Sequence, residues 1–566
     1  MGSDEIRGDI PAPVRGSSPD HRILLYLLGL VLVTAALLRF PLPGSVPPGL
    51  WFDEALNGQD ACAVWGLNSI GSGQGPGFRL IYTNVFPREP IFESLLALSV
   101  GICGPTVEAL RIVPAGIGLF TVLLLFLMLR SETGTGTALT AAAILATMRW
   151  HVIFSRLVFR TIILGPWLIG IVWIALSYQR KPGLLKAALL GLMVGGGFYT
   201  YLAWYLLLPL VAGMITWLIL QARKTPGAYP GIALMIICML ISAAPIGIHY
   251  LMHPESLMAR PGEVSVFKPN PNGSAGSGFP EILENAGEAL LMFHWKGDHV
   301  AKQNIPHAPA LDRTHGIFML IGLWICLLRL TGRQHDWNPL PSRVLPAIIF
   351  GWLGCGMLAT IFARTDSPNF LRTLCLTPAV AATCAVGLMA SIRFLSGFWN
   401  RKVIMALAIL LVMASGINCY HQVFNRWAGR EDVLKGFNGD ITQLGYYSAG
   451  KDNASYAVMV PRSLYEHRTF QFLSLGRTHV HPYHDWQTML GHMGESPPGG
   501  RIIITTANNR VYQPLRNLLP AGKVDQAFEA PGGNTWALAF AIHEDDLPAA
   551  DILEELDRKW QPPMHF

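Results

Sequence analysis

The sequence has 566 residues, of which 51% are hydrophobic and only 14% are charged, and its mean hydropathy is +0.37. Soluble globular domains carry about 25% charged residues, so this composition excludes an ordinary water-soluble protein. The net charge of +6 is concentrated in short loops between apolar runs, and no basic stripe alternates with exposed aromatic residues. The charge therefore indicates membrane topology and argues against a nucleic-acid partner.

Long apolar runs predict a polytopic α-helical membrane protein. Residues 1–22 are rich in Gly, Pro, Ser and charge, and they predict a disordered cytoplasmic tail. A spanning helix needs about 20 apolar residues, and by this criterion residues 23–422 form a transmembrane domain with about 11 spans. The predicted spans are approximately Ile23–Leu38, Ala109–Leu129, Ala138–Phe154, Thr161–Tyr178, Leu185–Phe198, Leu202–Leu220, Ile232–Tyr250, Gly316–Leu328, Val344–Phe362, Leu374–Ile392 and Val403–Cys419.

The loops between these spans fall into two sets that alternate along the chain. One set is short and basic, and the positive-inside rule places it in the cytoplasm together with the N-terminus. The other set includes outer loops 40–108 and 251–313, which are long and dense in Asp, Glu, His, Asn and Pro. We therefore expect a multi-pass protein of the plasma (inner) membrane. The cations of the basic set are Arg22, Arg130, Arg180, Lys181, Lys186, Arg223, Lys224, Arg329, Arg333, Arg343, Arg393, Arg401 and Lys402.

The first outer loop and the C-terminal region complete the predicted architecture. Ile91–Cys103 is apolar but too short to span, and it contains Glu93, so we expect two surface-lying helices near Glu54–Leu67 and Pro90–Cys103. The odd number of spans places residues 423–566 outside as well. Three runs there, which begin at Tyr456, Arg501 and Thr535, have the pattern of buried strands and predict a small extracytoplasmic α/β domain.

An acidic pair opens the first outer loop in the run Trp51-Phe-Asp-Glu-Ala. Asp53 and Glu54 lie between aromatic residues directly after the first span, where a carboxylate base can act on an acceptor hydroxyl. The alternative is that Asp53 is a helix N-cap whose carboxylate accepts backbone N–H groups. Both roles are compatible, because a capped carboxylate stays ionised.

Four arginines on the same predicted face are candidates for contacts with a lipid phosphate: Arg88, Arg156, Arg160 and Arg372. Cations on the outer side depart from the positive-inside trend, so they need an anionic partner. A lipid phosphate is one such partner, and an interhelical carboxylate is another. Glu89 follows Arg88 and could orient a bound phosphate or hold a cation, although a simple surface ion pair is an equal alternative.

Further polar and aromatic residues on this face are candidates for substrate binding. Tyr199 and Tyr201 could stack on a sugar ring, but interfacial aromatic belts are common. Asp298 and Asn304 belong to a His- and Asp-rich segment that could bind a divalent cation, yet the spacing matches no specific ligand pattern, and hydrogen bonds that order the loop are the alternative. The sequence lacks the P-loop, G-x-S-x-G and H-E-x-x-H motifs.

The order of these motifs resembles the GT-C membrane glycosyltransferases, and within them the protein O-mannosyltransferases (family 39) and the aminoarabinose transferases of lipid A. The resemblance covers roughly residues 20–420. In that branch an acidic D-E pair follows the first span, as Asp53-Glu54 does here, and a charged pair precedes a proline, as in Arg88-Glu89-Pro90. Aminoarabinose transferases have E-K-P where this chain has R-E-P, so their substrate is not carried over. The oligosaccharyltransferase W-W-D signature is missing.

This resemblance implies an inverting transfer of a sugar from a polyprenyl-phosphate donor to a protein, lipid or polysaccharide acceptor on the outer face. Asp53 is then the general base, and the arginines hold the leaving phosphate. A secondary transporter or lipid flippase is one alternative, although the charges cluster at one surface rather than at mid-membrane. A non-catalytic membrane scaffold, whose outer domain binds a partner, is the other.

Overall fold

The computed structural model describes residues 21–67, 76–82, 88–223, 229–254, 265–267, 278–333, 335–364, 366–452, 454–495, 499–507, 513, 515–517, 519–529 and 534–546. Residues 1–20 of the predicted N-terminal tail lie outside the described ranges, and so does much of the second outer loop.

The described residues are predominantly helical, as expected for a sequence with long apolar runs. Helices end where a residue leaves the helical conformation, as at Gly104 and Gly134, whose φ values are 82° and 91°. The α-helices, numbered in chain order, are α1 His21–Arg39, α2 Phe52–Val64, α3 Pro90–Cys103, α4 Val107–Thr133, α5 Thr135–Thr147, α6 Arg149–Phe154, α7 Leu164–Arg180, α8 Leu184–Gly196, α9 Trp204–Ala222, α10 Tyr229–Met252, α11 Phe279–Leu291, α12 Arg313–Leu330, α13 Val344–Ile361, α14 Thr377–Leu395, α15 Arg401–Tyr420, α16 Glu431–Gly436, α17 Gly439–Gly450, α18 Arg462–Tyr465, α19 Arg468–Leu473 and α20 Trp486–Glu495.

Within the described ranges, nine helical segments are long and apolar enough to cross a membrane. They contain α1, α4, α7, α9, α10, α12, α13, α14 and α15. Two shorter apolar helices, α5 and α8, occupy the positions of the third and fifth predicted spans. The polytopic helical architecture predicted from apolar length is therefore confirmed. The segment of α14 is 89% buried and that of α1 is 22% buried, so α14 lies at the centre of the bundle and α1 at its edge.

The third predicted span differs from expectation, because it breaks at Met148 into α5 and α6. Met148 has an extended conformation, with φ −72° and ψ 111°. The carbonyls of Leu145 and Ala146 at the end of α5 accept hydrogen bonds from the Arg39 guanidinium at 3.2 and 2.9 Å. These bonds replace the continuation of the helix, because they satisfy carbonyls that otherwise accept from the next turn.

The C-terminal region forms a five-stranded sheet with strand order β2-β1-β3-β5-β4. The pairs β1–β2 and β1–β3 are parallel, whereas β3–β5 and β4–β5 are antiparallel. The strands are β1 Tyr456–Pro461, β2 Val480–Tyr483, β3 Gly500–Thr506, β4 Lys523–Glu529 and β5 Thr535–His543. Three of them were predicted from their apolar pattern, and apolar clusters cover both faces of the sheet. The small α/β region is thus confirmed, and the last span reaches it through a π-helix over His421–Trp427.

Candidate active site

The candidate site is built around the start of α2. This helix begins at Phe52 and Trp51 is its N-cap, with φ −64° and ψ 148°. The backbone N–H of Trp51 donates to Oε2 of Glu54 at 3.1 Å, so Glu54 closes the first turn. The alternative role of Asp53 as the N-cap is therefore wrong, because Asp53 is the second helical residue.

Glu54 is fully buried and each of its carboxylate oxygens accepts two hydrogen bonds. Oε1 accepts from the Val158 N–H at 2.9 Å and from Nε of Arg111 at 3.3 Å, and Oε2 accepts from Trp51 and from Nη2 of Arg111 at 2.8 Å. These contacts fix α2 to α4 and to the segment after α6. They favour a positioning role for Glu54 over the catalytic role that the sequence suggested.

Asp53 has a different environment, although it is the next residue in the chain. Its side chain is partly exposed, and its carboxylate makes no hydrogen bond or ion pair with the residues that the structure describes. The charge of Asp53 acts on Arg160 and on Lys302. The first turn of a helix also favours a negative charge. Asp53 is therefore an accessible carboxylate held at a fixed position between cations.

Lys302 was missed by the sequence analysis. Its ammonium lies 3.6 Å from the centre of the Trp51 ring. Burial lowers the pKa of Lys302, and the charge of Asp53 opposes this effect. The signal that could have identified it is its position between the motif residues Asp298 and Asn304, in a loop otherwise assigned to the outer face.

A cluster of three carboxyl groups and two guanidinium groups lies between α2 and α3. Arg88 forms a buried ion pair with Asp60, and Nε of Arg160 lies 2.8 Å from Oε2 of Glu89. Glu93 is fully buried and neither of its oxygens has a hydrogen-bond partner among the described residues. Burial raises the pKa of Glu93 to about 8, while the nearby Arg88 acts to lower it. The two guanidiniums thus face three carboxyl groups, and burial favours the protonated form of Glu93.

The structure brings Arg88, Glu89 and Arg160 into one cluster, but the two arginine side chains differ in exposure. The side chain of Arg88 is 4% exposed and it also donates to Asn57 at 3.1 Å. Arg160 is 17% exposed, and its guanidinium lies 5.6 Å from the Tyr201 ring. Arg160 is therefore the more accessible cation of the cluster, and Tyr201 lies against it.

Arg156 is not placed as an available phosphate contact. It is buried, and its guanidinium donates to backbone carbonyls at the end of α1 and in the segment that follows it; those acceptors are Leu38, Arg39, Pro41, Leu42 and Val46. A buried cation surrounded by carbonyl oxygens holds the loop in shape. This geometry favours a structural role for Arg156 over the predicted donor contact.

The predicted residues Asp298 and Asn304 hold their loop in place. Asp298 accepts from the Val300 N–H at 2.7 Å and from the Phe370 N–H at 2.8 Å, and burial raises its pKa to about 6. The amide of Asn304 donates to the carbonyls of Asp298 and Ala308 at 3.0 and 2.6 Å. These contacts favour the loop-ordering alternative over direct substrate binding.

Tyr199 and Arg372 were also predicted to contact the donor. The Tyr199 hydroxyl donates to the Ser242 carbonyl at 2.8 Å, so it connects the turn after α8 to α10. The backbone N–H of Arg372 donates to Asn369 at 3.0 Å in the segment that Asp298 holds, and its phosphate contact stays a prediction. In the described part of the chain, no three His, Cys, Asp or Glu side chains converge as metal ligands, and the divalent cation stays a prediction.

Comparisons with known proteins agree with this architecture. Residues 87–249 match the family model of dolichyl-phosphate-mannose-protein mannosyltransferases. The fold is similar to the crystal structure of ArnT from Cupriavidus metallidurans bound to undecaprenyl phosphate, with 10% sequence identity and a TM-score of 0.51 over 93% of this chain and 99% of that chain. A crystal structure of the Archaeoglobus fulgidus oligosaccharyltransferase matches with 11% identity and a TM-score of 0.47, over 93% of this chain and 75% of that chain. No curated protein sequence matches the chain.

The chain therefore has the fold of the GT-C membrane glycosyltransferases, and the resemblance inferred from the sequence is confirmed. The family-model match, together with this fold, supports sugar transfer in general.

Proposed function

We propose that the protein transfers a sugar from a polyprenyl-phosphate donor to an acceptor hydroxyl at the outer face of the membrane, with inversion at the anomeric carbon. The observation that carries this proposal is the contrast at the start of α2. Glu54 and Asp60 are held in buried ion pairs, whereas Asp53 is partly exposed and has no hydrogen-bond partner among the described residues.

Asp53 is the general base of the proposed reaction. Its carboxylate accepts the proton of the acceptor hydroxyl while the acceptor oxygen forms a bond to the anomeric carbon. The bond from that carbon to the phosphate oxygen breaks on the opposite side, and the polyprenyl phosphate leaves with the bonding electron pair. A single displacement of this kind inverts the anomeric carbon.

Arg160 and Lys302 stabilise the negative charge that develops on the leaving phosphate. The charge of Asp53 acts on both cations, which supports one site for the donor phosphate and the base. Fixed cations that face a developing charge need no rearrangement during the reaction, which makes such stabilisation effective. Tyr201, whose ring lies beneath the Arg160 guanidinium, contacts the donor sugar in this proposal. Glu54 and Arg111 hold the helix that carries the base.

A lipid-phosphate donor is supported by the likeness to the ArnT structure, which contains undecaprenyl phosphate. It also accounts for the location of the enzyme, because such a donor stays in the bilayer. The acceptor is a hydroxyl group on a protein, a lipid or a polysaccharide. In the proposed orientation the N-terminus is cytoplasmic and the sheet domain is extracytoplasmic.

The experiment is a transfer assay with the purified protein in vesicles that contain a labelled polyprenyl-phosphate sugar. The acceptor source is a membrane extract from a strain that lacks the gene. We expect release of polyprenyl phosphate and a gain of one sugar mass on an acceptor, both detected by mass spectrometry. Asp53→Asn should lower the rate by about 10³-fold or more while the protein stays folded, because the amide cannot accept the proton.

Asp525→Asn is the matched control for this assay. Asp525 is an exposed carboxylate in the sheet domain, where it bonds Lys451, and its change should leave the rate within about twofold. The proposal is refuted if the wild-type protein consumes no lipid-phosphate donor, or if Asp53→Asn transfers as fast as the wild type. Movement of intact donor across the vesicle membrane without its consumption would instead support a flippase.

A further inference from the structure

The segment that presents Asp53 is covered by the C-terminal region. Leu50, three residues before Asp53, is fully buried. Its backbone N–H donates to the Thr442 hydroxyl at 2.9 Å, and its carbonyl accepts from the Thr469 hydroxyl at 2.9 Å. The backbone N–H and the carbonyl of Leu50 are thus both satisfied by side chains 392 and 419 residues further along the chain.

Asn438 connects the two threonines. Its carbonyl accepts from the Thr442 hydroxyl at 2.8 Å, and its amide donates to the Thr469 hydroxyl at 3.3 Å. Asn438 is in the left-handed region with φ 50°, a conformation that Asn tolerates better than most residues. We call Leu50, Asn438, Thr442 and Thr469 the Leu50 latch.

A second set of contacts lies further along α2. Gln59 donates to the Gln471 side chain at 3.2 Å and accepts from the Arg468 guanidinium at 3.1 Å. Close packing reinforces these bonds, since a Cβ atom added at Gly58 would lie 2.6 Å from the Phe472 ring. The α19 helix therefore contacts α2 at Gly58 and Gln59, and the latch fixes Leu50, two residues before α2 begins.

The position of α2 depends on these contacts because the helix is short. A helix of 13 residues is marginal by itself in water, so its place is set by its partners. Arg111 and Glu54 hold it from the membrane domain, and the latch holds it from the sheet domain. A catalytic group that is displaced by about 1 Å can lose about 10²-fold in rate.

We propose that the C-terminal α/β domain is part of the catalytic unit, and that Asn438, Thr442 and Thr469 are positioning residues that fix Asp53 through Leu50. This inference rests on the proposed transferase function. The sheet domain then contributes to the rate of transfer without touching the donor, and its first helices act as one wall of the site.

The test is the double variant Thr442→Val and Thr469→Val, in which each side chain keeps its shape and loses its hydroxyl. We expect kcat for sugar transfer to fall about 10- to 100-fold, while KM for the polyprenyl-phosphate sugar stays within about twofold, because the donor contacts are unchanged. The variant with Ser at both positions restores the hydroxyls and should recover most of kcat. Thr469→Val alone serves if the double variant does not fold.

Thr488→Val is the matched control, because it removes a hydroxyl that bonds Asp485 in the sheet domain away from the latch. It should leave kcat unchanged. Hydrogen exchange followed by mass spectrometry gives an independent readout, and residues 49–56 should exchange faster in the double variant than in the control.

The outcomes separate the two proposals. Faster exchange of residues 49–56 with an unchanged kcat overturns the positioning role and leaves the transferase function standing. The positioning role is also overturned if the double variant keeps the wild-type kcat and its KM for the donor rises, so that kcat/KM falls by the same factor. A wild-type protein that transfers no sugar refutes the transferase function, and the positioning role with it.

Discussion

At the residue scale, three carboxyl groups near one another have three different environments. Glu54 accepts hydrogen bonds from Arg111, Asp53 is partly exposed beside cations, and Glu93 is buried without a hydrogen-bond partner in the described ranges. Their environments come from the tertiary arrangement, since Asp53 and Glu54 are adjacent in the chain. A carboxylate that accepts four hydrogen bonds is a poor base, and one that is accessible is a good candidate.

Glu93→Gln is expected to change the pH dependence of stability. Burial raises the pKa of Glu93 from its usual 4.5 to about 8, so between these values the folded protein keeps a proton that the unfolded chain releases. The free energy of unfolding of the wild type should therefore fall as pH rises through this window, with an ideal slope of about 1.4 kcal/mol per pH unit.

The amide in this variant does not titrate, so this part of the fall should be absent. Thermal unfolding in detergent at pH 5 to 9 checks the prediction. The melting temperature of Glu93→Gln relative to the wild type should increase with pH and become constant above about pH 8. Parallel curves for the two proteins across this range would contradict it.

The sequence identified several residues of the site but not their partners. The motif order brought Asp53, Arg88, Glu89 and Arg160 to one face, and the structure places Arg160 against Glu89. Which arginine is available could not be predicted, because it depends on neighbours from distant segments. The buried Arg111 lies inside an apolar run, and a cation at such a position is a signal for an ion-pair partner.

At the element scale, two buried ion pairs hold α2, one between Glu54 and Arg111 and one between Asp60 and Arg88. Nη2 of Arg111 lies 2.8 Å from Oε2 of Glu54, and both side chains are almost fully buried at 1% and 0% exposure. A surface ion pair contributes about 0–1 kcal/mol, whereas removal of one partner from a buried pair leaves an uncompensated charge. The start of the helix that carries Asp53 should therefore be sensitive to loss of the Arg111–Glu54 pair.

Arg111→Met is expected to lower the free energy of unfolding by about 3–5 kcal/mol, because it leaves the Glu54 carboxylate buried and unpaired. Denaturant unfolding in mixed micelles measures this change. Arg430→Met is the control, since Arg430 pairs with Asp432 on an exposed surface, and it should cost about 1 kcal/mol or less. Addition of Glu54→Gln to Arg111→Met should recover part of the loss. Equal effects of the two arginine changes would show that the pair does not hold α2.

Apolar length was sufficient to predict the spans, and the exceptions have physical causes. The break at Met148 depends on Arg39, which binds carbonyls at the end of α5 from another helix. The two strands that were missed, β2 and β4, are the edge strands of the sheet. Edge strands need not be apolar on both faces, and β4 is largely exposed, so their pattern lacks the continuous apolar run of β1, β3 and β5.

At the scale of the whole molecule, the proposed transfer reaction requires that Asp53 lie on the outer side of the membrane. The short basic loops predict one orientation through the positive-inside rule. The described contacts agree that the polar groups form one face, because the first outer loop packs on the loop that contains Lys302 and on the C-terminal region. A lipid-phosphate donor and an outer-face acceptor meet only if that face is outside.

Cysteine labelling tests this sidedness most directly, with Ser45→Cys and Ser131→Cys as a matched pair in a Cys103→Ser background. Both serines are exposed. Ser131 lies in the last turn of α4, and Ser45 follows Gly44, which packs against Glu108 in the first turn of α4. In right-side-out vesicles a membrane-impermeant maleimide should label Ser45→Cys at once, and should label Ser131→Cys only after detergent is added. Labelling of Ser131→Cys without detergent, with Ser45→Cys protected, would place Asp53 on the cytoplasmic side and contradict the account.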